Sequence, residues 1–357
     1  MKIELYSPTI RRKEMNAVLT ALVEDKIGPG EQARILIQIA REKLNFDYCL
    51  ALRSPAVALF WALKSLGLAE GKGVVLSALS PVYYLYVLND LKLIPVFADV
   101  SPSGANMSRE TMEKAIQSRP ANTEVKAIIL NHALGYLPET ESISELSLPI
   151  IADCSQSYGS NYRTDPGTNP QTNPGTDNIT LLTILGLEER DMLTAGGGAL
   201  LFTYSRKDSP ILRNIGMEKL QGRLPPEYGL PDMNAAMGIA QFRGIAKNLE
   251  RRREIAAVYN QAALRTRHKC FAGEEYNNYA FPLILETGAK DLKTYARRKN
   301  IIVENAFDNT LAGQGIVGPE QCQESYSLSL RTVLFPLYPR LRKEEIEKIA
   351  KLIASIP

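Results

Sequence analysis

The stretch "GVVLSALSPVYYLYVLNDLKLIPVFADV", residues 73–100, decides how this chain folds. It opens on the continuously apolar run GVVLSAL. It then passes through PVYYLYVLNDL, where apolar residues recur three and four apart, and ends on a second apolar run, IPVFADV. A strand buried on one face alternates apolar and polar residues, and neither run alternates. Both strands are therefore expected to be covered on two faces, as parallel strands joined by a helical crossover are.

The same unit repeats on either side. Upstream, DYCLAL (47–52) reads as a strand and SPAVALFWALKSLGL (54–68) as a helix. Ser54 opens that helix, and Pro55 takes the first helical position, where a missing N–H costs nothing. Two further helices are predicted at 13–24 and 31–43, with the breaker KIGPG (26–30) between them. Downstream, SRETMEKAIQS (108–118) reads as a helix, with Ser103 or the better placed Ser108 as its cap. VKAIILNH, LPIIADCS, NITLLTIL and GALLFTYS read as four more strands. The pattern through about residue 205 predicts an α/β domain with a mostly parallel sheet and helices on both faces.

One amphipathic pattern then runs from Asp232 to Leu264 and predicts a long helix linking two domains, with Asp232 as its cap. YAFPLILE, a helix at 288–298, NIIVEN, RTVLFPL and a helix from Lys343 to Ile356 predict a smaller α+β domain. The expected division is an N-terminal arm and large domain over 1–231, the linking helix over 232–264 and the small domain over 265–357. The segment DPGTNPQTNPGTDN (165–178) has no apolar residue with which to pack, so an exposed, mobile loop is expected there.

Charge argues against a nucleic-acid partner. Lys and Arg number 42 against 39 Asp and Glu, and the densest basic run, LERRREIAAVYN (249–260), lies within the long helix as a solvated face. The four cysteines, Cys49, Cys154, Cys270 and Cys322, form no CxxC pair, and there are only two histidines, so no metal site is expected. No stretch approaches a membrane span, and MKIELYSPTIRRKEMNAV carries no apolar signal core. A cytoplasmic protein without a membrane partner is expected.

Several motifs follow one another in a fixed order: KIGPG, SPAVALFWALKSLGL, NHALG (131–135), IADCSQSYG (151–159), TAGGGALL (194–201), DMNAAMGIAQF (232–242) and LFPLYPRLRKEEIEKIAKLI (334–353). In this order and spacing the chain resembles the DegT-like sugar aminotransferases, pyridoxal-phosphate (PLP) enzymes of fold type I, over nearly its whole length. The resemblance implies a homodimer with the cofactor site between subunits. It also implies transfer of an amino group from glutamate or glutamine to a keto sugar carried on a nucleotide.

The resemblance assigns residues as well. Asp153 matches the carboxylate that pairs with the pyridine nitrogen and keeps the ring an electron sink. Gln156 matches the residue near the ring's phenolic oxygen, and His132 a histidine beside the site. Thr183 matches a serine five positions before the Schiff-base lysine, and Ser54 stands at the helix start that holds the phosphate. The departures are equally specific. Ser54-Pro55-Ala56 replaces Ser-Gly-Thr, Pro81 replaces an aromatic stacking residue, and Glu227 replaces an asparagine given by the neighbouring subunit.

The lysine position falls on Glu188, within Glu188-Glu189-Arg190-Asp191, and no lysine lies between Lys126 and Lys207. A carboxylate cannot form an imine. The glycines 196–198 are expected only to turn the chain between strands. The expectation is a degenerate sugar-aminotransferase-like protein with no covalently bound PLP, serving as a non-catalytic partner or as a nucleotide-sugar or small-molecule binder. Two alternatives stand beside it. One is an enzyme that takes PLP as a weak noncovalent ligand, with Glu188 or His132 moving the proton. The other is a conventional aminotransferase that draws its lysine from an unexpected segment.

Overall fold

The computed structural model describes residues 2–102, 104–160, 179–215, 225–271, 276–286 and 288–356. Ser103 and the 165–178 segment lie outside these residues.

Seven strands form the main sheet: β1 Tyr48–Leu52, β2 Gly73–Ser77, β3 Ile94–Ala98, β4 Val125–Asn131, β5 Ile150–Asp153, β6 Leu181–Gly186 and β7 Ala199–Thr203. Their order is β1-β7-β6-β5-β4-β2-β3. The 73–100 unit folds as expected: β2 and β3 pair in parallel, and helix α4 (Tyr83–Asp90) connects them. β2, β5, β6 and β7 are buried at every position, which is why their sequences do not alternate. β7 alone runs antiparallel to its neighbours β6 and β1. A parallel return needs a long crossover, usually helical. The loop from Leu187 to Gly198 holds no helix, so the chain turns back on itself.

The helices of this part are α1 Arg12–Val23, α2 Glu31–Leu44, α3 Pro55–Ser65, α4, α5 Arg109–Gln117, α6 Thr140–Ser144, α7 Ser209–Arg213 and α8 Asp232–Ala263. α3 begins where Ser54 Oγ accepts from Val57 N at 3.2 Å. Ser108 and Thr111 cap α5 reciprocally, at 3.3 and 3.0 Å. The expected cap of α8 is corrected by the structure. Its N-cap is Pro231, without a side-chain hydrogen bond. Asp232 Oδ1 instead accepts from Gly30 N and Ala33 N, both at 2.9 Å, and so caps α2. Gly30 permits this approach, since a Cβ there would stand 2.9 Å from Asp232 Oδ2.

A second, antiparallel sheet has the order β8-β10-β9, from Phe281–Ile284, Thr332–Phe335 and Glu304–Asn305. α9 (Lys290–Arg298), α10 (Gln323–Arg331) and α11 (Lys343–Ala354) accompany it. α8 runs through both cores. Ile239, Phe242 and Ile245 pack into the large one, while Ile255 and Tyr259 pack with Phe281, Phe335 and Ile349 in the smaller. Ile3 also joins the smaller core, bridging to Ile301. Asp99, just beyond β3, ties the two sheets together by accepting from Glu324 N, Ser325 N and Ser325 Oγ at the start of α10 (2.9, 2.7 and 2.6 Å). No helix among the described residues is long and apolar enough to cross a membrane.

Candidate active site

The C-terminal ends of parallel strands are where an α/β sheet gathers site residues, and Asp153 is the last residue of β5. It is buried, and both of its carboxylate oxygens are engaged. Oδ1 accepts from the Ser155 amide at 3.0 Å and the Ser155 hydroxyl at 2.5 Å. Oδ2 accepts from the hydroxyls of Tyr84 at 2.7 Å and Tyr83 at 3.2 Å. The two rings meet edge to face, with centroids 4.8 Å apart. Burial first, and then the Asp153 charge, pushes both hydroxyl pKa values well above the ordinary range, so both tyrosines stay protonated as donors.

The loop between β6 and β7 closes over this end of the sheet. Leu187 O accepts from Ala195 N and Gly197 N at 2.8 and 3.1 Å, and Leu187 N donates to Gly198 O at 2.8 Å. Gly196, Gly197 and Gly198 all have positive φ (71°, 142° and 124°), so the glycine run does turn the chain. Glu188 is half-buried, and its amide donates to Asp191 Oδ2 at 2.8 Å. Asp191 is half-buried too, with its carboxyl turned inward. A Cβ on Gly186 would stand 2.3 Å from Asp191 Oδ2 and 2.7 Å from Ser155 Oγ, so only glycine admits that carboxyl. Burial pushes the Asp191 pKa up to about 8; the Asp153 and Glu188 charges add to this, and the Glu188 N–H opposes it. Asp191 therefore holds a proton at neutral pH.

The remaining expected site residues are dispersed. His132 is buried, with Nδ1 at 2.8 Å from Ser157 Oγ and Nε2 at 4.0 Å from Cys154 Sγ. Burial lowers its pKa to about 4, which leaves a neutral imidazole. Gln156 Oε1 accepts from Leu134 N at 2.8 Å. Thr183 pairs in register with Ala152 and Phe202, whereas Asp153 pairs with Ile184. Successive side chains leave opposite faces of a strand, so Thr183 and Asp153 point away from each other. Thr183 Oγ1 is buried with no partner among the described residues. At the start of α3, Pro55 has no N–H and the Val57 amide is already bonded to Ser54. Arg53 Nε donates to the Glu227 carbonyl at 2.7 Å.

The structure thus gathers Asp153, Ser155, Tyr83, Tyr84 and Asp191; Ser54 and His132 engage other partners, and Thr183 points away from Asp153. The tyrosine pair and Asp191 carry no motif of their own. Their one sequence signal is place: Tyr83 and Tyr84 open a helix just beyond a strand end, and Asp191 lies in the loop expected to carry a lysine. Every lysine among the described residues is exposed or half-buried, and Lys219 lies outside them. These side chains do not fit a PLP held by a lysine of this loop.

Comparison with known proteins agrees with the fold. Over 98% of its length the chain is 23% identical to GDP-perosamine synthase of Escherichia coli O157:H7, covering 97% of that protein. It is 26% identical to an L-glutamine:2-deoxy-scyllo-inosose aminotransferase of Streptomyces lividus over 59% of this chain, which spans 48% of that relative. A sugar aminotransferase structure from Streptococcus pneumoniae, in its PLP form, superposes with a TM-score of 0.85 at 16% identity, covering 99% of this chain and 98% of that one. The aminotransferase TlmJ from Streptoalloteichus hindustanus superposes with a TM-score of 0.82 at 18% identity, covering 99% and 98%. The DegT/DnrJ/EryC1/StrS aminotransferase family model matches residues 8–354, and this chain belongs to that family.

Proposed function

We propose that this chain acts on a nucleotide-linked sugar bearing a keto or amino group, through carboxyl and hydroxyl groups in place of a lysine-held cofactor. One observation carries the reading: Tyr83 and Tyr84 close off Asp153, while Asp191 sits in the loop where a lysine is expected. The relatives favour an enzyme over a non-catalytic partner, since both are named for a reaction. The name GDP-perosamine synthase supports the nucleotide-linked sugar. In this reading Asp191 holds the proton. It is protonated at neutral pH, lies within electrostatic reach of the Tyr83 hydroxyl, and is able to give a proton up and take it back.

A PLP-dependent enzyme with a noncovalently held cofactor is the second reading. Asp153 and Gln156 at the strand end favour it, provided that the tyrosine hydroxyls leave Asp153. A conventional aminotransferase needs a buried lysine, and none of the described lysines is buried. We also propose a homodimer. Met15, Leu19, Leu22 and Val23 on α1, with Ile27 just beyond it, form an exposed apolar run that suits a subunit interface.

The test is titration with GDP- and UDP-linked keto sugars in deuterated water, without and then with PLP, followed by borohydride reduction and peptide mapping. Binding without PLP is expected, with deuterium entering beside the carbonyl at a rate that rises toward pH 8 as the Asp191 carboxyl ionises to take the C–H proton, and with that entry lost in Asp191→Asn. A stoichiometric pyridoxyl adduct on one lysine together with amino transfer would overturn the proposal.

A further inference from the structure

Arg252 lies on α8 near the point where that helix passes from one core to the other. Its NH1 donates to the carbonyls of Asn278, Tyr279 and Leu337, at 3.2, 2.8 and 2.7 Å. It forms no salt bridge among the described residues, and neither Nε nor NH2 has a protein partner there. Burial lowers its pKa to about 10, so it remains charged at neutral pH. A half-buried guanidinium without a counter-ion is costly, and the Arg252 side chain lines an open cleft.

A second guanidinium belongs to the lining of the same cleft. Arg190, from the β6–β7 loop, lies 4.7 Å above the Tyr6 ring. Both arginines act on the same two hydroxyls. Burial raises the Tyr6 pKa to about 12 against the pull of Arg190 and Arg252, and the same pair opposes burial at Tyr279. Thr9 and Thr194 add hydroxyls to the lining. Glu304, outside the lining, works against the arginines at Tyr6, while the two acids that line the cleft offset its charge only weakly. Asp191 is turned toward Gly186 and protonated at neutral pH, and Glu189 is exposed to water.

We propose that this cleft binds an oxyanion, the carboxylate or phosphate group of a ligand, between Arg190 and Arg252. Two guanidinium forks suit planar or tetrahedral oxyanions through paired N–H donors. The site stands independently of the sugar reading, because it is scored on simple anions.

The experiment is thermal unfolding of the full chain in rising sodium phosphate or sodium acetate, against sodium chloride of equal ionic strength. A ligand that binds the folded state raises the midpoint in a saturable way. A saturable rise in phosphate alone is expected for a phosphate site, and a rise in acetate as well for a carboxylate site. Arg190→Gln removes an exposed side chain and leaves the fold intact. It should weaken the apparent affinity about tenfold, the loss of one charge-assisted contact. Arg206→Gln, another exposed arginine outside the cleft, should leave the rise unchanged. No rise beyond chloride, or a rise equal in Arg190→Gln, overturns the proposal.

Discussion

The inward-turned carboxyl of half-buried Asp191 and the buried His132 ring have had their proton affinities moved in opposite directions, and each makes stability depend on pH. Asp191 has an ordinary value of 3.8 and a folded value of about 8. The stability it contributes is complete below the ordinary value and lost as pH rises through about 8. His132 moves from 6.5 to about 4, so its contribution is present above 6.5 and lost as pH falls through about 4. Denaturant unfolding across pH should find Asp191→Asn more stable than the parent on the alkaline side, because the amide keeps an acceptor for Glu188 N–H and cannot ionise. Should the two change stability in parallel between about pH 4 and pH 8, the carboxyl is not enclosed as described.

Tyr84 gives a second residue-scale prediction. Its hydroxyl is the shorter of the two on Asp153 Oδ2, and both groups are buried. Tyr84→Phe should cost about 1.5–3 kcal/mol, as for a hydrogen bond to a charged group, read from the denaturation midpoint. No loss would mean that water replaces the hydroxyl. The pairing was not legible in the sequence, since 69 positions separate the partners. The place of Asp153 was legible, because it ends an apolar run; its cofactor role rests on the resemblance alone. The mismatch of Thr183 and Asp153 follows from strand register, which no motif states.

Among the elements, those with a strong apolar pattern were legible and the polar ones were not. β2, β5 and β6 are mostly apolar, are buried at every position and stand where the sequence puts them. TESIS, SPILR and QESYSLSLR are short or polar, offer no helical stripe, and form α6, α7 and α10 all the same. Their partners supply what their own sequences lack, as Asp99 does for α10. The role of Asp232 was misread for the same reason. An aspartate at a helix start looks like a cap for that helix, yet its oxygen meets amides about 200 positions upstream. Asp232→Ala should therefore destabilise the α1–α2 region rather than α8, by about 1–2 kcal/mol for a lost cap. Hydrogen exchange should rise at Gly30 and Ala33. If it rises instead at the first turn of α8, the assignment fails.

For the whole molecule, the exposed apolar run along α1 carries the assembly prediction. Light scattering should return twice the mass of one chain, and Leu19→Glu with Val23→Glu should return a single chain that still folds. A parent protein that weighs one chain at micromolar concentration would remove the dimer. The overall architecture was the most legible level, because a mostly parallel sheet follows from several apolar runs joined by amphipathic helices. The reversal of β7 was not, since it depends on what the β6–β7 loop fails to contain.

α8 has a consequence for how the molecule comes apart. Its 32 residues extend about 48 Å as one unbroken rod, and each half is a wall of a different core. Melting the smaller core frays the rod from one end and strips the larger core of Phe242 and Ile245 if the fraying spreads. Asp99 opposes separation on the far side through its three bonds to α10. Calorimetry should therefore record one heat-absorption peak for the full chain, not the pair expected of two independent modules. Glu250→Pro, a helix breaker on the exposed side of the rod between Leu249 of the larger core and Ile255 of the smaller, should split that peak in two.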